Sequence, residues 1–513
     1  MRKLCRMIFS RYAVSFIIIL MEIAFYVLMT LYFSFLSLPA FAFMTFLNII
    51  SAVVVINRDS NPEYKAAWIA AIIALPCLGL VLYLLFYSRS APKKHLLYFK
   101  RINENLTEEK RESKNAEVLE SLSKTDSLAY GKAMAIMNDD SLAKIYGESA
   151  STFFGSGEEM FKSMLSDLRE AKEYIFLEYF IIEQGLMWDS IHEILREKAR
   201  TGVEVRVMYD DIGSSSTLPA SYPKRLFFEG IKCVRFGKVN PRISTLHNNR
   251  NHRKILVIDG LVAYTGGINI ADEYINEKKR FGYWKDGGVR ITGRAVEGFL
   301  RLFISTWDLT SRSFSDYESY AHSVRPVDSD GGFYVPFGSG PAPIYTRPTG
   351  KNVFLNIINQ ATKYLYVTSP YLVIDYDLTE SLRNAALRGV DVRIITPATA
   401  DKKIVKIMTK SAYPYLMEAG VKIYEYTPGF IHEKTLVSDD KYAVIGTINL
   451  DYRSFVHHYE NAVWIYNSKT AVTAKDEFLK SVDSSLLMDC DNVKLKLKEK
   501  IIRAAIKIGA PLL

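Results

Sequence analysis

Apolar positions fall into two regimes along the chain. From Tyr12 to Asn57 the sole charged residue is Glu22, and Ala66 to Tyr87 carries no charge at all. At about 1.5 Å per residue the first run is long enough to cross a hydrocarbon core of about 30 Å twice, and the second once. Pro39 is placed to turn the chain between the first two passes. Residues 1–95 are thus expected to form a membrane anchor of two or three transmembrane helices, three by the count of apolar runs. Beyond residue 145 the pattern changes to short apolar, β-branched runs alternating with stretches of helical period, which predicts α/β structure.

The α/β region repeats itself. Ala171 to Leu177 (AKEYIFL) matches Ala361 to Val367 (ATKYLYV), each opening a buried strand. Thr201 to Val207 (TGVEVRV) matches Arg388 to Ile394 (RGVDVRI), each a helix stop at Gly followed by an alternating strand. Each half ends on a further strand, around Gly287 to Ile291 and Asn461 to Tyr466. The expected architecture is two similar halves, 146–310 and 341–513, each a β-sheet flanked by helices and related by a pseudo-twofold axis. The polar stretch 96–145 and the Ser-, Gly-, Asp- and Pro-rich stretch 311–340 read as linkers. Lys494 to Ile508 alternates basic and apolar residues and predicts a basic C-terminal helix.

Between the matched strands lies a second repeat, which carries the chemistry. Asn251 to Asn269 reads NHRKILVIDGLVAYTGGIN, and Ile431 to Asn449 reads IHEKTLVSDDKYAVIGTIN. Each copy has a His, a Lys two residues on and an Asp five further: His252, Lys254 and Asp259, then His432, Lys434 and Asp439. Asn269 and Asn449 follow at the same interval. The apolar runs around Asp259-Gly260 and Asp439-Asp440 predict hairpins. His and Lys two residues apart on one strand share a face. Asp259 and Asp439 fall at the turns, where turn chemistry and a catalytic role are both open.

Packing two such halves about a twofold axis brings one His and one Lys from each into a single shared site. Two imidazoles suffice for phosphoryl-group chemistry, one attacking phosphorus and the other protonating the departing alcohol. Lys254, Lys434, Asn269 and Asn449 would hold the non-bridging oxygens. No metal or other cofactor is expected, because ammonium cannot coordinate and no carboxylate or Cys cluster accompanies the motif. Asp286 and Glu460 follow the motifs in equivalent places and are candidates to orient an imidazole.

Composition adds less. The 513 residues are 49% apolar with a net charge of +9, a balance suited to anionic lipid. Basic residues flank the apolar region on both sides, Arg2, Lys3, Arg6 and Arg11 before it and Arg89, Lys93, Lys94, Lys100 and Arg101 after it, which leaves its orientation open. Cys5, Cys77, Cys233 and Cys490 are too scattered for a zinc or disulfide framework. There is no nucleotide-binding GxxxxGK[ST] loop.

HRKILVID and HEKTLVSD, with GGIN and GTIN after them, resemble the paired HKD motifs of the phospholipase D superfamily. NNRNHRK at Asn248 to Lys254, SPYLVID at Ser369 to Asp375, the apolar N-terminal segments and the terminal APLL are similar to bacterial cardiolipin synthases. That resemblance implies a multi-pass cell-membrane transphosphatidylase. It would act on phosphatidylglycerol and other anionic phospholipids, with His252 as nucleophile and His432 as general acid, and without nucleic acid as a partner. Phospholipid hydrolysis to phosphatidic acid and a non-catalytic scaffold are the alternatives. The second predicts eroded motifs, yet all six His, Lys and Asp positions are present.

Overall fold

The computed structural model describes residues 24, 34–58, 62–74, 79–80, 83–84, 93–106, 109–238, 249–489 and 493. The chain divides into two compact units, one of Met1–Ser90, Val239–His247 and Lys500–Leu513, the other of Ala91–Lys238 and Asn248–Glu499. The first unit contains helices Ser34–Ile56 and Pro62–Ala74. The former presents Phe43, Phe46, Ile49, Val53 and Val54 at its surface. Among the described residues no helix is long and apolar enough to cross a membrane. Most of the first expected pass, much of the third and the basic C-terminal segment lie outside the described residues.

The second unit holds both halves. The first contributes β1 (Ser149–Phe154), β2 (Tyr174–Tyr179), β3 (Glu204–Asp210), β4 (Lys232–Phe236), β5 (Ile255–Ile258), β6 (Val262–Gly266), β7 (Tyr283–Lys285) and β8 (Gly288–Gly293). The second contributes β9 (Phe333–Ser339), β10 (Tyr364–Thr368), β11 (Leu372–Val373), β12 (Asp391–Pro397), β13 (Lys422–Tyr426), β14 (Gly429–Ile431), β15 (Thr435–Ser438), β16 (Tyr442–Gly446), β17 (Leu450–Asp451), β18 (Glu460–Tyr466) and β19 (Ser485–Leu487).

The first sheet runs β1-β8-β6-β5-β2-β3-β4, and the second runs β9-β18-β16-β15-β10-β12-β13-β19. Apart from β19, the two orders are the same, position for position. In each, the strands joined through helices pair in parallel (β2 with β3, β10 with β12) and the hairpin strands pair antiparallel. This is how βαβ crossovers and tight turns must pair.

Side chains on alternate positions of each strand face opposite layers. Phe176, Ile255 and Val257 from one sheet and Tyr366, Val437 and Ile445 from the other share one core. Phe299, Phe303 and Trp307 of helix Val296–Ser311 and Phe478 of helix Lys469–Asp483 join it. Those two helices therefore lie between the sheets. Helix Lys93–Asn105 adds Phe99 and Ile102 to the same core, while other helices cover the outer faces, with Trp188 and Ile191 packed on the first sheet and Phe354, Leu382 and Tyr413 on the second.

Two sequence expectations change. The second half starts before residue 341, because β9 is its edge strand, paired with β18 along its whole length. The run around Phe333 was masked by the glycines and aspartates on either side. The stretch 96–145 is not a free linker. It forms helices Lys93–Asn105, Glu109–Thr125 and Ser127–Asp139, and Leu122, Ala129, Ala133 and Ile136 are buried in the second half's core. Leu122 sits among the charges of the second helix, whereas Ala129, Ala133 and Ile136 lie in a stretch whose sole charge is Lys132.

Candidate active site

Each hairpin turns as its sequence requires. Asp259 and Gly260 both have positive φ (52° and 63°), as do Asp439 and Asp440 (57° each). Gly and Asp tolerate that left-handed region better than most residues. The Asp259 carboxylate accepts backbone N–H bonds from Lys172, Glu173 and Tyr174 at 2.6, 2.8 and 2.7 Å. Asp439 does the same for Thr362, Lys363 and Tyr364 at 2.8, 2.8 and 3.0 Å. Both aspartates thus anchor the start of the adjacent central strand, and neither bonds to an imidazole. They answer the open question of the turns in favour of structure. Asp259→Ala should lower stability by on the order of 3 kcal/mol, from lost charged hydrogen bonds and a strained Ala. The thermal midpoint should fall while turnover per folded molecule stays within about threefold.

His252 and Lys254 were expected on a hairpin strand, but β5 begins one residue later, at Ile255. The segment before it crosses to the other half. Tyr459 donates its N–H to the Arg250 carbonyl at 2.8 Å, and His252 donates to the Tyr459 carbonyl at 2.9 Å. The second copy mirrors this. β14 pairs in parallel with β7 of the first half, and the His432 N–H bonds the Lys285 carbonyl at 2.7 Å. These crossings place each histidine beside a carboxylate from the opposite half. His252 Nδ1 is 2.9 Å from Glu460 Oε2, and His432 Nδ1 is 2.7 Å from Asp286 Oδ2.

A carboxylate only accepts, so each Nδ1 carries the proton and each Nε2 is left with a lone pair. The two carboxylates are fully buried, and each has a second support. Thr447 Oγ1 donates to Glu460 Oε2, while the shorter Asp286 accepts the Gly287 N–H at 2.9 Å. A Cβ at Gly267 would collide with the Asp286 carboxylate. The GGIN and GTIN motifs thus differ because one half uses Asp beside Gly and the other Glu beside Thr.

Aromatic rings wall both imidazoles. Phe180 is 5.1 Å from His252 between ring centroids, and Trp284 and Tyr274 are 5.4 and 5.6 Å from His432. Burial pushes His252 down to about 3, against the pull of Glu460, and His432 down to about 4, with Lys434 adding to the effect. Both rings are neutral at pH 7. Burial also drives Lys254 down to about 7 and Lys434 to about 8, against Glu460 and Asp286 respectively. Burial alone would raise the Glu460 carboxyl. The His252 and His458 rings together outweigh it and hold the group well below the usual carboxylate range. For Asp286 burial again raises the value, and His432, Lys434 and the Gly287 N–H together lower it, leaving the carboxyl below its ordinary value.

Lys254 Nζ donates to the His252 carbonyl at 2.7 Å, and Lys434 Nζ donates to the His432 carbonyl. Each ammonium keeps further N–H donors, and each depresses the other half's groups: Lys434 acts on Lys254, and Lys254 on His432. Four of the six motif residues therefore converge on one site, with two lysine Nζ groups and two neutral Nε2 atoms. Such a site suits a bound anion that needs both charge and a nucleophile.

The asparagines divide. Asn269 is committed to the scaffold, with Oδ1 accepting from Ile181 N at 3.1 Å and Nδ2 donating to Tyr274 Oη at 2.6 Å. Asn449 Oδ1 is buried without a hydrogen-bond partner among the described residues. Sequence reasoning missed Asn251 and Asn461. Asn251 Nδ2 donates to Glu178 at 2.6 Å, and Asn461 Nδ2 reaches across to Thr265 at 2.8 Å. The available signal was position alone, since each Asn adjoins a site residue, His252 or Glu460.

A family model described as "Cardiolipin synthase, PLD-like domain" matches residues 164–280 and 354–482. A "Phospholipase_D-nuclease N-terminal" model matches residues 46–86. An uncharacterized protein of Streptococcus mutans is 43% identical over 72% of this chain and 80% of its own length. A cardiolipin synthase of Halalkalibacterium halodurans is 34% identical over 83% of this chain and 84% of its own. Cardiolipin synthase 2 of Staphylococcus epidermidis is 33% identical over 89% and 94%. The crystal structure of phosphatidylserine synthase from Haemophilus influenzae shares the fold, with a TM-score of 0.54 at 16% identity over 74% of this chain and 98% of that one. The paired motifs and the duplicated sheet are those of a phospholipase D-like protein. Within that class, the chain belongs to the cardiolipin synthase family.

Proposed function

We propose that the protein is a cardiolipin synthase, moving a phosphatidyl group from one phosphatidylglycerol to the terminal hydroxyl of another and releasing glycerol. The observation that carries this reading is the convergence of His252, Lys254, His432 and Lys434 from two halves on one buried site. Family membership supplies the lipid substrate.

The lone pair on His252 Nε2 attacks phosphorus. As the N–P bond forms, the bond from phosphorus to the glycerol oxygen breaks, and His432 Nε2 gives that oxygen a proton. The anionic phosphodiester favours the imidazolium it faces, which lifts His432 above the value that burial and Lys434 impose. The hydroxyl of the second phosphatidylglycerol then returns a proton to His432, attacks phosphorus and frees His252. Lys254 and Lys434 hold the non-bridging oxygens throughout. One diester is exchanged for another, so no nucleotide, metal or other cofactor enters the catalytic cycle.

The exposed apolar row of helix Ser34–Ile56 supports membrane association, as does the match of residues 46–86 to an N-terminal phospholipase D model. We read the uncharged stretches as the multi-pass anchor that keeps the site at the cell membrane. The partners are phosphatidylglycerol and other anionic phospholipids, and no nucleic acid is involved.

Purified protein incubated with phosphatidylglycerol alone in EDTA should yield cardiolipin and glycerol, read by mass analysis of the lipids. Phosphatidic acid as sole product would make it a hydrolase, and loss of turnover restored by a metal would refute the metal-free cycle. The pH profile gives a second test. Because Lys254 and Lys434 sit near 7 and 8, kcat/KM should decline as pH rises through that range and the ammoniums lose their protons. Lys434→Arg stays charged, so its decline should follow Lys254 alone. A profile flat to about pH 9 in the unsubstituted enzyme would show that neither charge matters to the reaction.

A further inference from the structure

Glu460 serves a second histidine that the reaction does not use. Its Oε2 bonds His252, while its Oε1 is fully buried with no hydrogen-bond partner among the described residues. At 3.7 Å from Oε1 lies His458 Nδ1, also buried and also without a hydrogen-bond partner. That distance is too long for a hydrogen bond. Two orphaned polar atoms facing each other in a buried pocket are costly unless something bridges them. The His252 and His458 rings lie 5.6 Å apart, tilted by 41°, and the ligand atoms of all three residues fall within 4.8 Å of one another.

We propose that His252 Nδ1, His458 Nδ1 and a Glu460 carboxylate oxygen form an inhibitory site for a divalent cation of the Zn²⁺ class. Two imidazoles and one carboxylate are a donor set for such an ion, with a fourth position left to water. Mg²⁺ prefers an octahedral all-oxygen shell and fits poorly. Small side-chain rotations bring the three donors to the roughly 2.0–2.2 Å bonds that Zn²⁺ takes.

Occupancy changes the nucleophile without adding or removing a proton. Coordination needs the Nδ1 lone pair, so the proton now shared with Glu460 leaves Nδ1, and the neutral ring carries it on Nε2. The Nε2 lone pair that attacks phosphorus is then gone. The inhibitory consequence rests on His252 being the nucleophile, whereas metal binding does not. Lipid turnover at the site would thus be silenced reversibly by free metal.

The test uses the purified full chain, with Co²⁺ as a spectroscopic probe. Wild-type protein should take up one Co²⁺ with the visible absorption of a four-coordinate ion, and Zn²⁺ should displace it. His458→Ala should weaken binding on the order of 100-fold or more, since losing even an outer-shell partner costs about 10–100-fold. Zn²⁺ should inhibit cardiolipin formation by the wild type, Mg²⁺ should not, and the inhibitory Zn²⁺ concentration should rise in His458→Ala by the factor that its affinity falls. Metal-free activity of His458→Ala should stay near wild type, which also reports that it folds, and His458→Asn is the alternative if it does not accumulate. No saturable Co²⁺ binding, or binding equal in wild type and variant, overturns the site. Binding that depends on His458 but leaves transfer untouched overturns the inhibitory role and the assignment of His252 as nucleophile. A failure of the cardiolipin reading itself would show separately, in the assay without metal.

Discussion

His432→Ala, supplied with a nitrophenyl phosphodiester, should accumulate a phosphorylated adduct on His252, while His252→Ala should form none with any donor. A nitrophenolate departs without a proton, so the missing acid is not felt in the first step. With phosphatidylglycerol the leaving alkoxide needs that proton, and His432→Ala should turn over about 10²–10⁴ times more slowly. Removing the His252 imidazole deletes the covalent pathway, and no leaving group restores it. Acid-quenched protein read by peptide mass spectrometry distinguishes the two. An adduct on His432 would reverse the roles, and no adduct in any variant would indicate direct in-line displacement.

The second large effect follows from the crossed carboxylates. Glu460→Gln and Asp286→Asn each exchange a charged acceptor for an amide and loosen the tautomer that leaves Nε2 free. By the precedent of triad carboxylates each should cost up to about 10⁴ in kcat. The crossing makes the pattern specific. Asp286→Asn lies in the first half but should behave like loss of His432, with nitrophenyl donors still labelling His252. Glu460→Gln lies in the second half but should suppress that labelling. If each substitution instead impaired the histidine of its own half, the bonds of 2.9 and 2.7 Å across the halves would not be the ones that matter.

Much of this was legible in the sequence because it is written twice. The matched strands at Ala171 and Ala361, and at Thr201 and Arg388, lie at the same places in two sheets of the same strand order. Asp259-Gly260 and Asp439-Asp440 turn where expected. The rest depended on partners, which periodicity does not name. A strand's alternation tells which face is buried, but not that the residues before β5 leave their own sheet for Tyr459. For the same reason Asp286 and Glu460 were visible as candidates while their exchange was not. Asp259 stood open between turn and reacting set because its spacing from His252 is fixed, and that spacing reflects the length of one hairpin strand. β9 was obscured by its glycine-rich flanks, and His458 by having no counterpart in the first copy.

The exchange of carboxylates has a consequence for how such a site can diversify. In two identical chains related by symmetry, any substitution near one histidine would appear at both, and the two imidazoles would be chemically equal. Joining the copies into one polypeptide lifts that constraint. Asp286 with Gly267 and Glu460 with Thr447 are already two different solutions to the same contact. Because each solution sits in the half opposite the histidine it serves, inheritance of the two roles is tied to the pair. Neither copy can drift toward nucleophile or acid without the other's consent.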